Sequence, residues 1–170
     1  MIRMIAGAQR AGVREASGAG GASRVRVLAI DYGRKRIGLA LSDELGLTAR
    51  PLATLTRTNR RNDLSRLRAI CRSHSVARII VGHPLHLDGG ASEMADETAR
   101  FADRLRKELG IPAELVDERL TSWEAKQTMA SKSSKRPKPG QLDGVAAALL
   151  LSEFLERERR RMDAGAVEND

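Results

Sequence analysis

The sequence predicts a single α/β domain whose mixed five-stranded sheet is flanked by helices, with an antiparallel meander of three strands followed by two parallel strands. Residues 24–56 carry β-rich runs separated by short turns, which is typical of a meander. Residues 60–150 alternate helical periodicity with short β-branched runs, and strands joined by crossover helices run parallel to a neighbour. Hydrophobic residues make up 41% of the 170-residue chain but aromatic residues only 2%, so aliphatic side chains must fill the core.

The opening hairpin is the most informative stretch. Arg24–Asp43 contains two β-rich runs joined by the four-residue loop Tyr32–Lys35. In the first run Val27, Ala29 and Asp31 have the same parity, so Asp31 continues a core-facing row at the carboxyl end of a strand. A carboxylate in that position is costly unless a metal ion, another cation or hydrogen-bond donors compensate it.

The remaining elements follow from periodicity and from helix and turn signals. Pro51 places the third strand at a sheet edge, because proline cannot donate to a central ladder. In chain order the predicted elements are an edge strand at Thr48–Thr56, a helix at Arg60–Ser73, a buried strand at Ala77–Val81, a helix capped by Ser92 and ended by Gly110, a strand at Ala113–Val116, a short helix at Thr121–Ala130 and a buried helix that begins at Leu142.

The domain itself is expected to span residues 24–156. Residues 1–23 are rich in Gly, Ala and Arg without periodicity, which predicts a disordered extension. Residues 131–140 (SKSSKRPKPG) predict a mobile basic loop within the domain. Residues 157–170 predict a charged C-terminal tail.

Charge and cysteine content limit the classes of partner. The formal net charge of +8 favours a polyanionic partner such as nucleic acid, although basic tails alone also give such a charge. The single cysteine, Cys71, excludes a disulfide framework and a cysteine-based zinc site, and fits a reducing, cytoplasmic setting. No apolar run approaches the length of a membrane span, so no membrane partner is expected.

Acidic residues are predicted to meet at one edge of the sheet, where ligands of open α/β sheets bind. Asp31 ends the first strand, Asp117 and Glu118 end the fifth, and Asp143 opens the last helix. Strand alternation allows only one of Asp117 and Glu118 to point toward the site. Singly, Asp31 could form a turn, Asp143 could be a helix N-terminal charge, and Glu118 could pair with Arg119. Together, hard oxygen ligands without His or Cys favour Mg²⁺ or Mn²⁺.

Basic residues near these carboxylates are candidates for holding a phosphate backbone, a contact that does not depend on sequence and weakens with salt. Tyr32 and Trp123 lie near the acidic motifs and are candidates for stacking on a base, with core packing favoured for Trp123. The predicted nucleic-acid-binding residues are Arg34, Lys35, Lys132, Lys135, Arg136 and Lys138.

Four motifs in order carry a resemblance that covers Arg24–Glu156. The chain resembles the YqgF (RuvX) family, and this resemblance implies an RNase H-like fold, akin to the Holliday junction resolvase RuvC, and a nuclease that matures the 5′ end of pre-16S ribosomal RNA. The motifs are Asp31-Tyr32-Gly33 with Arg36–Ala40, Val81–Leu85 with Asp88-Gly89, Asp117–Thr121, and Asp143–Ala147.

The same resemblance implies that Asp31, Glu118 and Asp143 form a catalytic triad that coordinates a divalent metal, with Asp117 as the alternative to Glu118. Two positions depart from the family pattern. His83 stands where the family usually has Leu, and His86 with Leu87 replaces Asn-Met. Loop substitution is favoured for both histidines over contact with substrate or metal.

These observations predict a metal-dependent endonuclease that hydrolyses phosphodiester bonds in structured RNA, with pre-rRNA and an assembling ribosomal particle as partners. A Holliday junction resolvase acting on branched DNA is one alternative, and it would need a two-fold dimer. A noncatalytic nucleic-acid-binding factor is another, disfavoured by the intact acidic set. An actin-like ATPase is disfavoured because those enzymes use two such domains. Whether the chain is a monomer or a homodimer is left open.

Overall fold

The computed structural model describes residues 26–85, 92–118 and 141–167. Within these ranges the chain forms one mixed sheet with three helices against it. The strands are β1 (Arg26–Tyr32), β2 (Arg36–Ser42), β3 (Ala49–Pro51), β4 (Leu55–Thr56), β5 (Val76–His83) and β6 (Ala113–Asp117), and the helices are α1 (Arg60–Ser73), α2 (Glu93–Leu109) and α3 (Gln141–Val167).

The strand order confirms the predicted mixture of antiparallel and parallel strands. The sheet runs β3-β2-β1-β5-β6, and β4 also pairs with β2. The pair β1–β2 is antiparallel, whereas β1–β5 and β5–β6 are parallel. The carboxyl ends of β1, β5 and β6 therefore lie along one edge, as the acidic motifs require.

The third predicted strand, Thr48–Thr56, is divided in two. Pro51 of β3 lies opposite Ala40 of β2, and Leu55 of β4 lies opposite Ile37. From Pro51 to Leu55 the edge segment (residues 48–56) advances four residues, whereas β2 advances three between the paired Ala40 and Ile37. The extra residue interrupts the ladder in the manner of a β-bulge. The predicted edge position is correct, but the prediction of one continuous strand is wrong.

Both connecting helices have the ends that their sequences predict. The side chain of Asn59 accepts from the backbone N–H of Asn62 at the start of α1. Ser92 caps α2 by accepting from the N–H of Ala95. Gly110 ends α2 in the left-handed region, at φ 66°, where glycine meets no steric penalty.

Buried side chains form two layers, one on each face of the sheet. Leu28, Ile30 and Tyr32 of β1 belong to the layer that α1 and α2 cover. Val27 and Ala29 belong to the layer that α3 covers. Since side chains alternate along a strand, Asp31 lies on the α3 face, as its parity predicts.

Several predicted segments lie outside the described residues, namely the extension at residues 1–23, the helix at Thr121–Ala130 and the basic loop at 131–140. The described part of α3 continues through residues 157–167, so this stretch of the predicted charged tail is helical. None of the described helices is long and apolar enough to cross a membrane.

Candidate active site

Asp31 lies between two glycines of the neighbouring strands. On one side it is directly opposite Gly38 in the antiparallel ladder. On the other side Ile30 is in register with Val81, so Asp31 and Gly82 are the next residues along their parallel strands. Side chains at these three positions face α3, and the two glycines leave the space beside the Asp31 carboxylate to other residues.

Gly38 brings the first turn of α3 onto the sheet. A Cβ at Gly38 would overlap the backbone carbonyl of Asp143. Gly144 is buried, and a Cβ there would lie 3.1 Å from the carbonyl oxygen of Leu52. The start of α3 is therefore in backbone contact with β2 and the edge segment, which places Asp143 beside the Asp31 row.

Gly82 accommodates the carboxylate of Glu118. A Cβ at Gly82 would lie 2.5 Å from Oε1 of Glu118. Leu115 packs against the layer under α1 and α2, and Val116 against the layer under α3. Because side chains alternate along a strand, Asp117 faces the same side as Leu115, and Glu118 faces the same side as Val116. Glu118, rather than Asp117, therefore reaches the face that carries Asp31 and Asp143.

Arg36 joins this arrangement, although the sequence analysis did not single it out. Its Nε donates to Oδ2 of Asp143 at 2.6 Å, between side chains that are 42% and 26% exposed. Arg36 has the parity of Gly38 on β2, so it points toward the same face. That parity was readable in the sequence, but its partner, 107 residues away, was not.

The donor types suit a hard divalent cation, since three carboxylates share one face of one sheet edge. Among residues 26–85, 92–118 and 141–167, however, no three His, Cys, Asp or Glu side chains are placed closely enough to hold a metal ion. Clustered carboxylates repel one another without a cation, and Arg36 already engages Asp143. The residues thus fit a metal by chemistry and by face, but do not form a closed ligand set.

The two basic residues of the hairpin loop differ in their surroundings. Arg34 forms ion pairs with Glu93 at 3.0 Å and Glu97 at 3.2 Å, both on α2. The hydrogen bond to Glu93, with the negative charge of Glu97, raises the pKa of Arg34. Lys35 is exposed at the loop. Of the two predicted phosphate-binding residues, Lys35 is the more available.

Tyr32, a candidate for stacking on a base, is instead engaged in the core. Its ring is 8% exposed and stacks on Phe101 of α2, with 4.4 Å between ring centroids. The guanidinium of Arg57 lies 4.7 Å from the centre of the same ring. Tyr32 has the opposite parity to Asp31, so it faces the α1–α2 layer rather than the site.

Arg57 anchors the loop that follows Asp31, a role that the sequence analysis missed. Its Nη1 donates to the carbonyl oxygen of Gly33 at 3.1 Å, and its backbone N–H donates to that of Lys35 at 3.0 Å. Its Nε lies 3.4 Å from Oδ2 of the buried Asp63. Since the bonds to Gly33 and Lys35 join residues far apart in sequence, no local pattern indicated them.

The remaining candidates are peripheral or outside the described ranges. His83 is half-buried at the carboxyl end of β5, in register with Asp117. Burial raises the pKa of the Cys71 thiol to about 11, which excludes a thiolate nucleophile there at neutral pH. The described residues do not include His86, Trp123, Lys132, Lys135, Arg136 and Lys138.

Comparison with solved structures identifies the class of fold. The chain is similar to RuvC of Thermus thermophilus in complex with a Holliday junction substrate, with a TM-score of 0.54, 15% sequence identity, and coverage of 79% of this chain and 96% of that one. A further T. thermophilus RuvC structure gives a TM-score of 0.52 at 14% identity. The chain therefore has the RuvC-like, RNase H-like fold.

Residues 25–157 match the family model RuvX, which is described as a Holliday junction resolvase, and the chain belongs to this family. Three similar relatives are named as candidate pre-16S rRNA nucleases. The relative from Syntrophus aciditrophicus is 43% identical over 78% of this chain and 89% of its own length. The relative from Anaeromyxobacter sp. is 42% identical over 78% of this chain and 98% of its own length. The relative from Synechococcus elongatus is 38% identical over 84% of this chain and 96% of its own length.

Proposed function

We propose that this chain is a metal-dependent endonuclease that matures the 5′ end of pre-16S rRNA. The observation that carries the proposal is the row Gly38–Asp31–Gly82, over which Asp143 and Glu118 lie on one face of the sheet. Relatives about 40% identical over most of their length are named as candidate pre-16S rRNA nucleases. The family and the site geometry thus support the same chemistry.

Asp31, Glu118 and Asp143 would hold Mg²⁺ or Mn²⁺. A bound ion supplies a water of lowered pKa and neutralises charge that develops on the leaving oxygen. Asp31 is fixed by its place in a central strand, Glu118 by its seat over Gly82, and Asp143 by the first turn of α3. Asp117 is assigned no ligand role, because the parity of β6 directs it to the other face.

Recognition of RNA would depend on its backbone and shape. Lys35 is exposed in the loop between β1 and β2, and the predicted basic loop at 131–140 would add further phosphate contacts. Tyr32 is unavailable for stacking, so an aromatic platform at this hairpin is excluded. An assembling ribosomal particle in the cytoplasm would be the setting in which such a shape is presented.

Cleavage of branched DNA is the second candidate function, because the matching family model carries the description of a Holliday junction resolvase. Symmetric cutting of a junction requires two active sites related by a two-fold axis. The likeness to RuvC, at 15% identity, supports the fold and not the substrate. We favour RNA because the relatives that share about 40% of their residues are named for it.

Paired substitutions at adjacent carboxylates test the site. Glu118→Gln keeps the shape of the side chain but removes a proposed ligand, and should lower Mg²⁺- or Mn²⁺-dependent cleavage of precursor RNA by at least about 10²-fold, a typical loss for electrostatic catalysis. Asp117→Asn is the matched control and should change the cleavage rate less than about threefold. RNA binding, measured separately, should be retained in both. A larger loss in Asp117→Asn than in Glu118→Gln would contradict the assignment.

A further inference from the structure

We propose that Arg36 is a displaceable counter-ion of Asp143. In the structure its guanidinium holds the carboxylate, and Asp143 would give up this ion pair in order to serve as a ligand of a divalent cation, which would free Arg36. This inference rests on the proposed function, since it assumes that Asp143 is a metal ligand. The role inferred for Arg36 is to exchange its partner, not to bind the ion.

The position of Arg36 suits an exchange of this kind. Arg36 and Gly38 have the same parity on β2, and Gly38 lies between Asp31 and the backbone of Asp143. Arg36 therefore lies on the face that carries the carboxylates, two residues before Gly38, and its guanidinium contacts Asp143. Among the described residues, Asp143 is the partner that the Arg36 side chain contacts.

The exposure of the pair makes it weak enough to exchange. Arg36 is 42% exposed and Asp143 26% exposed, and ion pairs open to solvent contribute little net stability. The Arg57–Asp63 pair on the other face is a useful contrast, because its carboxylate is only 5% exposed and accepts a further backbone hydrogen bond from Thr58. An exposed pair costs less to separate than a buried, further hydrogen-bonded one, so Asp143 can give up its guanidinium more readily than Asp63 can.

Release of Arg36 would change what the site offers to a substrate. Nε and Nη of a freed guanidinium form a planar fork that matches phosphate oxygens. The fork becomes available only when the ion occupies the carboxylates. Loading of the metal would thereby place a positive charge at the point where the RNA backbone approaches the site.

Titration of Mn²⁺ into the RNA-free protein, followed by isothermal calorimetry, tests the exchange without relying on activity. Arg36→Gln should bind Mn²⁺ more tightly than the unmodified chain, by about 1.5- to fivefold, because the ion no longer competes with a partially exposed ion pair. Arg36→Lys should give an affinity between the two. Lys35→Gln removes a charge from the adjacent residue without breaking a bond to Asp143, and should tighten binding less than Arg36→Gln.

Equal or weaker Mn²⁺ binding by Arg36→Gln, or equal tightening by Lys35→Gln, would overturn the counter-ion role. Asp143→Asn separates this failure from failure of the metal site. If that variant binds Mn²⁺ as well as the unmodified chain does, the proposed ligand set is wrong and the counter-ion role falls with it. Thermal melts without metal should confirm that Arg36→Gln folds, as its exposed position predicts.

Discussion

At the scale of single residues, the glycines of the site are as informative as its carboxylates. Gly38→Ala would place a methyl group against the backbone carbonyl of Asp143, which cannot move without shifting α3. We expect this change to lower the free energy of unfolding by about 1–3 kcal/mol, the usual cost of overpacking, as measured by urea denaturation.

Gly165→Ala is the matched control for Gly38→Ala. A Cβ at Gly165 meets nothing within 4 Å, and alanine is favoured over glycine inside a helix by about 0.5–1 kcal/mol. This variant should therefore be as stable as the unmodified chain or slightly more so. Equal stability of Gly38→Ala and Gly165→Ala would mean that Gly38 does not set the approach of α3.

The sequence predicts which face of the sheet a strand residue occupies, but not which distant residue its side chain contacts. Parity placed Asp31 on the same face as Val27 and Ala29, and the structure confirms that face. Tyr32 was a candidate because it is next to Asp31, but adjacent residues of a strand face opposite sides, and Tyr32 lies in the α1–α2 layer. The pairing of Arg36 with Asp143 spans 107 residues, and no local pattern predicts such a contact.

At the scale of elements, the helix caps should contribute to the free energy of unfolding but not to metal binding at the proposed site. Ser92→Ala removes the hydroxyl that accepts from the N–H of Ala95 at 3.1 Å, at the start of α2. Loss of such a cap costs about 0.5–2 kcal/mol, which urea denaturation would detect. Mn²⁺ affinity should not change.

Ser65→Ala is the control for the cap, because Ser65 is exposed in the interior of α1 and caps nothing. Its effect should stay within about 0.5 kcal/mol. If both serine variants lost the same stability, the Ser92 hydroxyl would not act as a cap.

The helices α1 and α2 were predicted with accurate bounds, whereas the edge strand was predicted to be continuous and is divided. The range predicted for α1, Arg60–Ser73, is the observed one, because periodicity and capping are encoded locally. The division of Thr48–Thr56 into β3 and β4 depends on pairing with β2, so the local sequence alone does not determine it.

At the scale of the whole molecule, the net charge of +8 does not tell where positive charge is available to a polyanion. Arg34, Arg36 and Arg57 near the hairpin are each paired with a carboxylate. Arg60 and Arg61, by contrast, are exposed at the start of α1, on the other side of the sheet from α3. Among the described residues, these arginines at the hairpin are therefore already engaged by carboxylates.

The fold class came correctly from element order, but the substrate does not follow from the fold. The chain shares its fold with a RuvC that was solved with a Holliday junction, and its sequence with relatives named for pre-16S ribosomal RNA. Function on a shared fold resides in the site and in the surfaces around it. The choice between RNA and branched DNA therefore has to be made with substrates.

The proposed substrate can be tested by offering the purified chain a pre-16S rRNA fragment and a four-way DNA junction, in the same buffer with Mg²⁺ or Mn²⁺. Asp31→Asn serves as the blank for both, since it removes the carboxylate at the centre of the row. We predict metal-dependent cleavage of the RNA on the 5′ side of the mature sequence, no cleavage of the junction, and no cleavage of either by Asp31→Asn. Cleavage of the junction with the RNA left intact, or undiminished RNA cleavage by Asp31→Asn, would contradict the account.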